Sequence, residues 1–186
     1  MRLTERAHEI VSAVVSTGDV VIDATAGNGH DTCFLAQLVG SDGVVFAFDV
    51  QPTALARTAE RLEQHGLSAA RLCESDHAAL QSVIPGELQG LIAAVMFNLG
   101  YLPGGDKSVI TRRESTLAAL NASLTVLRSG GVVTILAYPG HPGGDSETDA
   151  VTEFVAELNE KEFEMNTFQS DSTAPRTPRL FSILKR

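Results

Sequence analysis

The sequence predicts an α/β fold: a mostly parallel, seven-stranded sheet with helices on both faces and an antiparallel hairpin at one edge. Three observations predict it. Five short apolar runs alternate with segments of helical periodicity, as the strands of a buried parallel sheet do. A glycine-rich turn follows the first run and opens the next helix, where such folds build their ligand loop. Two further runs near the C-terminus have no helix between them, so they pair antiparallel. At 186 residues the chain has room for one domain, 1–186, with a buried core.

Residues 3–16 read as an amphipathic helix with Ile10, Val11, Val14 and Val15 on its apolar side. Residues 20–24 form a short β-branched strand, and helical spacing resumes over 31–39. A second buried strand spans 44–49. Pro52 suits the first turn of a helix running to about His65, where Gly66 ends it. Residues 69–74 make a weaker third strand and 91–99 a fourth, apolar throughout. Thr111-Arg112-Arg113-Glu114 has capping-box spacing and opens a helix to near Arg128. Gly130-Gly131 turns into a fifth strand, 132–137. A last helix covers 146–159, and 163–168 with 180–184 close the sheet.

Bulk properties narrow the function. The net charge is −9, which disfavours a broad phosphate-neutralising surface and leaves local patches as the only route to nucleic acid. Two basic clusters qualify: Lys107, Arg112 and Arg113, then Arg176, Arg179, Lys185 and Arg186. No apolar run reaches the length of about 18 residues that a membrane helix needs. Cys33 and Cys73 form no CxxC pair, so reduced structural thiols and a cytoplasmic setting are expected. No His, Cys and carboxylate set has metal-site spacing, and no nucleophile elbow is present.

The sharpest feature is residues 23–32, Asp-Ala-Thr-Ala-Gly-Asn-Gly-His-Asp-Thr. Gly27 and Gly29 permit a tight turn and close approach of backbone to a ligand. Asp49, 20 residues beyond Gly29 and ending the second strand, sits where a carboxylate holds a ribose diol. Two cofactors compete for this geometry. A nicotinamide dinucleotide requires a third glycine, but Thr32 stands there, and Asp31 at the helix start is a poor neighbour for pyrophosphate. S-adenosylmethionine carries an ammonium and a sulfonium, which Asp23, Asp31, Asp49 and Asp76 suit. The balance favours a Rossmann-like class I methyltransferase over a dehydrogenase. Asp23, Thr25, Gly27, Asn28, Gly29, His30, Asp31, Thr32, Asp49, Gln51, Asp76, His77 and Asn98 are the expected cofactor-binding residues.

Residues 23–32, 48–51, 96–107 and 138–144 together resemble the rRNA methylase family over nearly the whole chain. That family includes a tRNA methyltransferase that modifies the amine of 5-aminomethyl-2-thiouridine at the anticodon wobble position. The resemblance implies methyl transfer from S-adenosylmethionine to that amine, and a homodimer. Two segments depart from the family pattern. Asp76 precedes His77 where the family usually reads Ser-His, and Ala174-Pro175-Arg176-Thr177-Pro178-Arg179 replaces an Asn before a Pro-Pro pair.

For the chemistry, Asn98 and Tyr101 are expected to orient the amine, with His141, Asp106 or His30 accepting its proton. His8 reads as a packing or capping histidine. The basic clusters are expected to hold the tRNA anticodon region. A small-molecule or rRNA methyltransferase of the same fold, or a non-catalytic S-adenosylmethionine- or RNA-binding module, stands as the alternative.

Overall fold

The computed structural model describes residues 2–100, 104, 110–140, 142–169 and 176–186. Its strands are β1 Val20–Asp23, β2 Val44–Asp49, β3 Ala70–Glu74, β4 Ile92–Asn98, β5 Leu127–Ala137, β6 Phe163–Gln169 and β7 Arg179–Lys185. Its helices are α1 Leu3–Ser12, α2 His30–Val39, α3 Pro52–Gln64, α4 Leu80–Val83, α5 Arg113–Val126 and α6 Gly144–Ala156. The sheet order is β3-β2-β1-β4-β5-β7-β6. The first five strands pair in parallel, while β7 runs antiparallel to both β5 and β6.

Alternation along each strand divides the core between two layers. On β1, Val21 packs into one cluster with Val11 of α1 and Leu35 and Val39 of α2. Its neighbour Ile22 packs into the other, with Leu80 of α4, Leu120 of α5 and Val151 of α6. Each fully buried aliphatic side chain of this kind contributes about 1.5–3 kcal/mol. Because β1 leads outward to β2 in one direction and lies against β4 in the other, a crevice opens at the carboxyl ends of β1, β2 and β4.

Three local expectations are corrected. The first helix ends at Ser12, because the chain turns there: the amides of Val14 and Val15 both bond the Val11 carbonyl. Thr111 does not cap α5, which begins at Arg113 without a side-chain cap. Its hydroxyl instead donates to Glu147 Oε2 at 2.8 Å. The fifth strand starts at Leu127 rather than 132, since Leu127 pairs with Ile92 and the register then shifts through Gly130 at φ +73°.

Candidate active site

The glycine turn is built where β1 runs out. Past Asp23 the backbone stays tied to both neighbouring strands, Ala24 donating to the Met96 carbonyl and Ala26 to that of Phe48. Gly29 then enters α2 at φ +79°, a region a side chain rarely adopts. A Cβ there would also stand 2.9 Å from the Thr58 Cα on α3. Helix α3 clasps the turn from outside. Thr58 Oγ1 donates to the Gly27 carbonyl at 3.2 Å and Arg61 Nε to that of Asn28 at 2.8 Å. Arg57 reaches the Asn28 side chain at 3.2 Å.

Three aspartates surround this turn in different environments. Asp49 accepts the Gly27 amide on one oxygen and the Gln51 amide on the other, each at 2.9 Å. Asp23 is fully buried and accepts from the Thr32 hydroxyl at 2.6 Å and the Thr25 amide at 3.1 Å. Burial, then the nearby Asp31 charge, push its carboxyl up to about 7. Asp31, buried at the start of α2, receives His8 Nε2 at 2.7 Å and the Asn98 side-chain nitrogen at 3.3 Å.

The other strand ends close the space. After β3, Asp76 caps a 3-10 turn, His77–Ala79, by accepting the Ala78 amide at 2.8 Å. Buried His77 donates through Nδ1 to the Ala24 carbonyl at 3.2 Å, and burial holds its pKa below the ordinary histidine value. Its Nε2 is therefore an acceptor, with no hydrogen-bond partner among the described residues. At the end of β4, the Asn98 amide N–H donates to Thr25 Oγ1 at 2.8 Å. Tyr138, just beyond β5, has its hydroxyl pKa raised by burial and then by Asp31.

These parts enclose a cavity of about 970 Å³, within the range of small-molecule and cofactor sites. Of the residues offered by sequence for the cofactor, Thr25, Gly27, Asn28, His30, Asp31, Asp49, Gln51, Asp76, His77 and Asn98 line it. Asp23, Gly29 and Thr32, expected as cofactor contacts, lie buried beneath the wall and shape it instead. Tyr101, His141, Asp106 and Lys107 lie outside the described residues. Thr111, Arg112 and Tyr138 line the cavity although no motif placed them among the cofactor contacts. The residues present fit S-adenosylmethionine: a carboxylate at the β2 end for a ribose diol, a second at Asp76 beyond β3 for the adenine amino group, and acidic groups for a cationic ligand. Among the described residues, no group of three or more His, Cys, Asp or Glu side chains could hold a metal ion.

Solved structures agree on the class. A methyltransferase from Streptococcus mutans, in complex with SAH, superposes with a TM-score of 0.89 at 37% identity, covering 100% of this chain and 99% of its own. An rRNA methylase crystal structure from Clostridium thermocellum superposes at 0.93 with 38% identity, covering 98% and 97%. The chain is an S-adenosylmethionine-dependent methyltransferase. Residues 45–184 match the model of the family described as "Putative rRNA methylase", and the chain belongs to that family. It is also 37% identical, over its whole length and 70% of the relative's, to the chloroplastic tRNA (mnm(5)s(2)U34)-methyltransferase of Arabidopsis thaliana.

Proposed function

We propose that the chain, acting as a single cytoplasmic domain of residues 1–186, methylates the primary amine of 5-aminomethyl-2-thiouridine at the tRNA wobble position. The observation that carries this reading is the full-length 37% identity to the Arabidopsis tRNA methyltransferase. The site supports it: Asn98 sets a side-chain amide at the carboxyl end of β4, on the cavity wall.

Bound in this cavity, S-adenosylmethionine supplies a methyl group activated on a sulfonium. Asp49 and Gln51 would hold the ribose, and Asp76, which caps the turn with one oxygen only, would accept a hydrogen from the adenine amino group with the other. The carbonyl end of the Asn98 amide accepts a hydrogen from the substrate amine and aims its lone pair, so the protein acts mainly by positioning. An alkylamine must lose a proton before it attacks. The apolar wall at Phe48, Leu99 and Ile110 disfavours the ammonium form, and His30, on the exposed side of the wall, is an acceptor for the released proton. By the sequence reading, Tyr101 is assigned to orienting the amine and His141 to accepting its proton. Arg112 and Arg113, with Lys107, and Arg176 with Arg179 hold the anticodon stem phosphates. A base in a folded loop leaves its stack to enter such a site.

Nucleoside mass spectrometry tests the reading on tRNA carrying 5-aminomethyluridine at the wobble position. One methyl added to that nucleoside by the wild type, and none by Asp49→Ala or Asn98→Ala, is the expected result. The net charge of −9 favours a second reading, a small-molecule methyltransferase. Activity that survives ribonuclease treatment of the substrate pool would establish it instead.

A further inference from the structure

We propose that His8, on α1 and behind the cavity wall, is a positioning residue for this transfer: it fixes Asp31, and Asp31 fixes which end of the Asn98 amide faces the cavity. The inference rests on the amine-methylation reading above. His8 lies flat on Phe34 of α2, the ring centroids 3.8 Å apart and the planes 2° from parallel, so the ring has a set orientation. From there Nε2 meets Asp31 Oδ1 at 2.7 Å. An ionised carboxylate only accepts, so Nε2 carries the hydrogen. The contact is short and charge-assisted.

The second Asp31 oxygen faces the Asn98 side-chain nitrogen at 3.3 Å. An amide has chemically opposite ends, and a carboxylate opposite it selects the end that donates. The Asn98 carbonyl oxygen is thereby left for the substrate, where an amine N–H requires an acceptor. The backbone of Asn98 is already tied, through its own N–H, to Thr25 Oγ1. Side-chain rotation is the freedom that remains, and Asp31 removes it.

Asp31 in turn needs an outside partner. It stands near buried Asp23, and the two carboxyls oppose each other's charge. Without the His8 hydrogen, no side-chain contact among the described residues holds Asp31 as closely, and the longer Asn98 contact remains. The Asn98 amide can then flip and present a donor to a donor. The ribose contacts at Asp49 and Gln51 lie on a different strand end and are untouched, although Asp31 lines the same cavity.

Two substitutions separate the hydrogen bond from the packing. His8→Phe keeps a ring on Phe34 and removes the donor. His8→Gln gives up the ring and offers a side-chain N–H at similar reach. In the full-length enzyme with tRNA bearing 5-aminomethyluridine, His8→Phe is expected to lower kcat by about tenfold to a hundredfold, the range a misplaced reacting group produces. Cofactor Kd changes by less than kcat, because the ribose contacts stay in place while only Asp31 loosens, and His8→Gln recovers most of the rate. A second readout is independent of turnover: the Asn98 side-chain amide signal in ¹⁵N-labelled protein, identified by its disappearance in Asn98→Asp. It should shift in His8→Phe and return in His8→Gln. An unchanged kcat with an unmoved Asn98 signal in His8→Phe overturns the proposal, as does a His8→Gln variant as impaired as His8→Phe. If the wild type leaves this tRNA unmethylated, the substrate reading falls, while the amide signal still decides the link from His8 to Asn98.

Discussion

Asp49 spends each carboxylate oxygen on a backbone N–H and still lines the cavity, so it both shapes the turn and faces the ligand. Asp49→Ala removes an acceptor for the ribose and orphans the amides of Gly27 and Gln51. Cofactor affinity should fall about tenfold to a hundredfold, the equivalent of removing one or two charge-assisted hydrogen bonds. Calorimetric titration with S-adenosylhomocysteine reads it, and an unchanged Kd would place the ribose elsewhere. Asp23 behaves oppositely. Its carboxyl titrates near 7 in the folded chain against an ordinary value of 3.8, so the native state retains a proton that the unfolded chain releases between those values. The stability this group contributes is present in acid and is lost as pH rises through about 7. Its full size is on the order of 4 kcal/mol. Asp23→Asn cannot ionise, so the Tm of wild type relative to this variant should fall between about pH 4 and about pH 7 and level off above. A difference that stays constant across that window would mean Asp23 is charged throughout.

At the scale of elements, the glycine turn is only as firm as the helices on either side of it. Gly29→Ala meets two obstacles together, the positive φ and the Thr58 backbone 2.9 Å from the new Cβ. A strained φ alone costs about 1–3 kcal/mol, so thermal unfolding should shift down by at least that equivalent, and cofactor binding should weaken as α2 and α3 part. Wild-type Tm and affinity in this variant would show that α3 does not brace the turn. The parts of the molecule that were readable in sequence are the local ones. The run Val20–Asp23 followed by glycines, and the acid ending Val44–Asp49, announce strand, turn and ribose position within a few residues of one another. The parts that were not readable depend on distant partners. Thr111 has the spacing of a helix cap, yet its hydroxyl is taken by buried Glu147, 36 residues on. Gly130-Gly131 reads as a plain turn, but Leu127 finds Ile92 and carries the strand past it. Thr32 stands at a ligand-contact position of the loop pattern and turns inward to satisfy Asp23. His8 and Arg61 carry no local signal of their place behind the cavity, since helical spacing cannot say what an exposed face will meet.

For the whole molecule, an excess of nine negative charges has to be reconciled with a polyanionic substrate. The proposed arrangement concentrates cations at the cavity mouth and leaves the acids elsewhere or around the cationic cofactor. Arg112 meets that requirement directly, because it lies on the cavity wall beside Thr111. Arg113, next along α5, is exposed and only loosely paired with Glu153 at 4.0 Å, an ion pair worth little in water. Arg176 is committed to Asp145 at 3.2 Å and gives up more to bind a phosphate. Reversing Arg112 and Arg113 together to Glu should therefore weaken tRNA binding strongly while cofactor affinity stays the same. The dependence of log Kd on log salt should also become shallower by about two, one for each phosphate no longer neutralised. Filter binding across a salt series measures both. A variant with wild-type affinity and slope would move the RNA surface to the face carrying Arg176 and Arg179. A wild type with no measurable tRNA affinity would point instead to a small substrate, for which this rim of arginine would be solvated charge.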